Sequence, residues 1–73
     1  MIELHTLVAL LEDLPQHGLK RGHMGTVVEQ WADDVYEVEF ADRNGVTHAM
    51  VALRADQLLV LREYTGLSEL PTA

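Results

Sequence analysis

Residues 35 to 53 spell out a β-hairpin, and that constrains the rest of the chain more than any other feature. Val35-Tyr36-Glu37-Val38-Glu39-Phe40 alternates strictly, with Tyr36, Val38 and Phe40 on one face and Glu37 and Glu39 on the other. A period of two with carboxylates outward is the signature of a half-buried antiparallel strand. Asp42-Arg43-Asn44-Gly45 follows, and Asn-Gly between β-patterned runs predicts a tight hairpin, because both central residues tolerate positive φ. Val46 to Leu53 is the return strand.

A lone hairpin has no core, so other segments must cover its apolar face. Gly25 to Trp31 is rich in β-branched and aromatic residues and reads as a strand, closed by a turn at Ala32-Asp33-Asp34. Leu7 to Leu11 reads as a buried first strand, closed by Glu12-Asp13-Leu14-Pro15; by period alone, a helical turn across Glu3 to Leu14 competes with it. Pro15 to Gly22 is a loop. Arg54 to Gln57 looks like one helical turn, and Leu58 to Leu61 like a last strand. Five short strands in a flat sheet would leave one face wet and two edges open, so curling is expected. The expected fold is all-β: a small five-stranded SH3-like barrel, with one short 3-10 turn before the last strand. The barrel is placed at residues 1–64 and a partly ordered tail at 65–73.

The chain has 73 residues, enough for one small core and no separate cofactor domain. It has no cysteine, which excludes disulfides, thiolate metal sites and cysteine nucleophiles. Met1 to His5 lacks the basic and apolar blocks of a signal peptide, and the longest apolar runs are far too short to span a membrane. A cytoplasmic protein is expected. Hydrophobic residues make up 48%, too many for a disordered acidic tail. Twelve acids against five Lys and Arg give a net charge of −7, which repels nucleic acid and anionic membrane at long range.

The ordered string Val8 to Pro15, Gly18 to Gly22, Gly25 to Glu29 and Tyr36 to Phe40, closed by Leu53, Ala55, Gln57 and Leu58, resembles a family of small bacterial domains. This is the domain of unknown function 4926 family, and the resemblance covers residues 4 to 61. It implies an SH3-like barrel and supplies no catalytic residues. Arg21-Gly22-His23-Met24-Gly25-Thr26-Val27 is also similar to KOW-type segments. Barrels of nitrile hydratase β-subunits and of the variable chain of ferredoxin–thioredoxin reductase share the same glycine-framed element. These shorter likenesses support the fold rather than a function.

Each polar constellation has a structural explanation that competes with a chemical one. Gly22 and Gly25 frame a turn into a strand, whereas a phosphate loop opens a helix. Lys20, Arg21 and His23 are the one local basic cluster; a solvated loop or a local ion pair explains them better than RNA phosphates do. His5, His17, His23 and His48 lack the close spacing of metal ligands, although His17 and His23 could converge with Asp13. Glu37 and Glu39 lie two apart on a strand, about 6 to 7 Å between carboxylates, a separation also used in glycoside hydrolysis, but alternation already accounts for them. The one serine, Ser68, falls in the tail, and Thr26 and Thr47 have no nucleophile elbow around them.

Val27, Val35, Tyr36, Val38, Phe40, Val51, Leu53, Leu58 and Val60 are expected in the core. Leu4, Leu7, Trp31, Met50, Leu59 and Leu61 exceed what so small a barrel holds, so part of them should form an outside contact patch. The resulting expectation is a protein-binding module rather than an enzyme, without cofactor or metal. Its binding residues are Trp31, Tyr36, Glu37, Glu39, Lys20, Arg21 and His23, forming an apolar groove around Trp31, Tyr36 and the loop Gln16 to Met24. Acidic residues bordering the groove would steer a basic partner, in a regulatory or immunity-type pairing with a neighbouring gene product. Strand pairing would also allow a homodimer. Two alternatives are KOW-like RNA binding through Lys20, Arg21, His23 and Arg43, and an accessory barrel for a larger enzyme.

Overall fold

The computed structural model describes residues 2–42 and 44–61, so Arg43, Ser68 and the tail expected at 65–73 lie outside the described residues. Five strands form one antiparallel sheet: β1 (Leu7–Leu10), β2 (Met24–Ala32), β3 (Val35–Ala41), β4 (Thr47–Arg54) and β5 (Leu58–Val60). The order across the sheet is β4-β3-β2-β1-β5, so β1 lies between β2 and β5. A 3-10 turn at Ala55–Gln57 joins β4 to β5, as the sequence predicts. This order, with a short 3-10 turn before the final strand, is that of an SH3-like barrel.

Three local irregularities interrupt the ladders. On β2, Val27 faces Val38 and Glu29 faces Glu37, so Val28 is an extra residue; Gln30 faces Tyr36 and Ala32 faces Val35, so Trp31 is another. On β4, Ala49 faces Phe40 and Thr47 faces Ala41, which makes His48 the extra residue. Such bulges bend a strand and increase its twist, which is what rolling a short sheet requires.

The core joins the inward faces of the strands, Val8, Leu10, Val27, Tyr36, Val38, Phe40, Val51, Leu53 and Leu58, with Ile2, Leu14 and Leu19 from outside the strands. Several expectations change here. The first strand is half-buried rather than buried: Val8 and Leu10 point in while Leu7 and Leu11 remain exposed, and no helix forms over Glu3 to Leu14. Its outward face has no covering layer among the described residues, so burial follows the pleat. Val35 is only partly buried, and Val60, at the end of a short edge strand, is half-exposed.

The loop after β1 is more ordered than its composition suggests. Pro15–His17 forms a second 3-10 turn, ended by Gly18 in the left-handed region. Leu14 and Leu19 bridge each other on either side of it and bury their side chains. The β3–β4 connection is also wider than the two-residue turn that Asn-Gly predicts. Asp42 N–H donates to Val46 C=O at 2.9 Å and Gly45 N–H donates to Asp42 C=O at 2.9 Å, which encloses a three-residue loop. The Asp42 carboxylate accounts for the difference, since its Oδ1 accepts the N–H groups of Asn44 (2.8 Å) and Val46 (3.0 Å).

Candidate functional site

The structure distributes the expected binding residues over three places. Tyr36 is 1% exposed and belongs to the core. Its hydroxyl accepts the Ile2 N–H at 3.0 Å and donates to the Asp33 carbonyl at 3.4 Å, so its polar end is satisfied internally. A surface groove that includes the Tyr36 ring is therefore not formed. Alternation places Tyr36 on the inner face, and Trp31, displaced by a bulge, is on the outer one.

Trp31 is 64% exposed. Its indole Nε1–H donates to Glu37 Oε1 at 2.9 Å, which brings two expected residues together. Glu37 is half-buried and stands directly opposite Glu29 across β2 and β3. Like charges in that register repel each other. The next outward residue on β3, Glu39, lies between Thr26 and Met50 on its neighbouring strands and accepts the Thr47 hydroxyl. Each carboxylate thus has its own donor, and no paired-carboxylate cleft is formed. Among the described residues, the one ion pair is the exposed Arg54–Asp56 contact at 3.0 Å, remote in role from these glutamates.

Lys20, Arg21 and His23 occupy a turn at the opposite end of β2. Met24 and Trp31 are separated by seven strand positions, roughly 20 Å, so this turn and the tryptophan are separate features. The turn is bound to its surroundings. Arg21 N–H donates to Asp13 Oδ1 at 2.8 Å, and Lys20 N–H donates to His23 Nδ1 at 2.9 Å. Beside it, a cleft of about 180 Å³ runs between Gly18, Leu19, His23 and Met24 on one wall and Phe40, Ala41, Asp42 and His48 on the other. Among the described residues, no three His, Asp or Glu side chains are grouped so as to hold a metal ion. Asp13, His17 and His23 accordingly do not form such a group.

Two placements on these surfaces escape a reading of the sequence. Glu29 matters because of its register against Glu37, and the bulge at Val28 sets that register. His48 faces the cleft because it is the extra residue of a bulge, which breaks the alternation that would have assigned it a face. A Cβ built on Gly18 would lie 3.6 Å from His48 Nε2, showing how closely the imidazole approaches that loop.

Of the six apolar residues in surplus, Leu4, Leu7, Trp31, Met50 and Leu59 are exposed and Leu61 is half-buried; Leu11, Met24, Val46 and Val60 are exposed as well. No described helix is long and apolar enough to cross a membrane. Searches of curated proteins and of solved structures found no match to this chain. Over residues 4–60 the sequence matches the family described as a domain of unknown function (DUF4926). The match spans all five strands, from the approach to β1 through β5, and the chain belongs to the DUF4926 family.

Proposed function

We propose that this domain works by binding another protein rather than by catalysis, through the outer face of β2 and β3 around Trp31. The observation that carries the reading is the exposed indole held by Glu37 beside the opposed Glu29–Glu37 pair. A large aromatic side chain already oriented on the surface loses little entropy on contact, which is the profile of an interface anchor. The glutamates repel one another in the free domain, and a lysine or arginine of a partner would relieve that repulsion. The same cation could stack on the indole, an interaction of about 0.5–2 kcal/mol. Met50, next to Glu39 on β4, extends the surface with apolar area.

The net charge of −7 adds long-range attraction toward a basic partner. A regulatory or immunity-type pairing with the product of a neighbouring gene, in the cytoplasm, fits these properties. The test is copurification and titration with that neighbouring product. Trp31→Ala should weaken binding about tenfold or more, Glu37→Gln should weaken it less, and the wild-type affinity should fall as salt rises. Absence of any complex, or full affinity in Trp31→Ala, would overturn the proposal.

A further inference from the structure

We propose that the turn Lys20–His23 is a proton-operated latch on one wall of the cleft. His23 N–H donates to the Lys20 carbonyl at 3.0 Å, and Gly22 has φ 92° at the third position, as a type II turn requires. A second bond spans the same turn, from Lys20 N–H to His23 Nδ1 at 2.9 Å. A ring nitrogen accepts a hydrogen bond only while its lone pair is free, and both nitrogens of a protonated imidazole are donors. A proton on Nδ1 therefore replaces an attraction with two donors facing each other.

The groups around His23 make the event local. Lys20 and Arg21 share its turn, Asp13 lies on the preceding loop, and Asp42 and His48 line the facing wall from the β3–β4 hairpin. The new positive charge joins two cations on the turn. The nearby carboxylates already have partners: Asp13 Oδ1 holds Arg21 N–H, and Asp42 Oδ1 holds the N–H groups of Asn44 and Val46. Anchoring of the turn to β1 does not use the imidazole. Gly22 N–H donates to Leu10 C=O at 2.8 Å, and Leu10 N–H donates to His23 C=O at 2.9 Å. Acid thus releases the His23 side chain and leaves the sheet intact. Because His23 lines the same cleft as the buried Leu19 and Phe40, its release changes access to that cleft. The latch is independent of the Trp31 surface.

Amide exchange by NMR on the full chain, expressed as protection factors between pH 7.5 and pH 5, tests the latch. The Lys20 amide should lose protection about fivefold on acidification, while Arg21 and Gly22 keep theirs. His23→Asn, whose side-chain oxygen can accept the same N–H without titrating, should make the Lys20 amide insensitive to pH. His48→Asn should behave as wild type. A flat wild-type profile, a drop that persists in His23→Asn, or a drop abolished by His48→Asn would each overturn the latch.

Discussion

A methyl group at position 25 would have no space. The Cβ of an alanine there would lie 2.7 Å from Val38 Cγ1 and 2.8 Å from two carbons of the Phe40 ring, all on buried side chains. Gly25→Ala should therefore destabilise the domain by about 1–3 kcal/mol, read as a lower urea midpoint. An unchanged midpoint would mean that β2 can back away from β3 freely. The requirement concerns proximity and not backbone angle, which separates Gly25 from Gly22 although the two frame one short turn. The same scale explains why Tyr36 and Trp31 part company. Both are aromatic residues near the β2–β3 turn and look equivalent in sequence. Alternation sends Tyr36 inward, where its hydroxyl meets Ile2 and Asp33. Trp31 escapes alternation because it is the additional residue of a bulge.

At the level of strands, local pattern was readable and long-range pairing was not. Val35 to Phe40 announces its faces because its neighbours on both sides are strands and one face is wet. The five strands and the 3-10 turn at Ala55–Gln57 follow from composition and period. What lay hidden depends on partners distant in sequence: the bulges at Val28, Trp31 and His48, the opposition of Glu29 and Glu37, and the burial of Leu14 and Leu19 within a loop. The hairpin loop illustrates the limit. Asn44-Gly45 suggests a two-residue turn, but one carboxylate two positions before Asn44 stabilises a wider one. Asp42→Ala removes the acceptor for two backbone N–H groups at the loop and should cost about 1–2 kcal/mol in chemical denaturation. The candidate surface was legible to a similar extent. Trp31, Glu29 and Glu37 were identifiable by type, while the register of Glu29 against Glu37 and the cleft around His48 required the fold.

For the molecule as a whole, charge is the governing quantity. A net charge of −7 on 73 residues, with one ion pair among the described residues, leaves repulsion that salt can screen. Raising sodium chloride from about 10 mM to about 200 mM should increase the melting temperature measured by circular dichroism, and Glu29→Gln should reduce that gain. A melting temperature that falls or stays level with salt would show that attractive pairs dominate instead. One further consequence follows from the position of β1 between β2 and β5. Of these five strands β1 is synthesised first, and it acquires its second neighbour only when β5 has been made. During synthesis, β2, β3 and β4 can pair one after another as an ordinary meander, but the side of β1 that will receive β5 waits for Leu58–Val60. Completion of this sheet is therefore timed by the strand made last, and a ribosome stalled before residue 58 would hold β1 to β4 while lacking the one that closes the sheet.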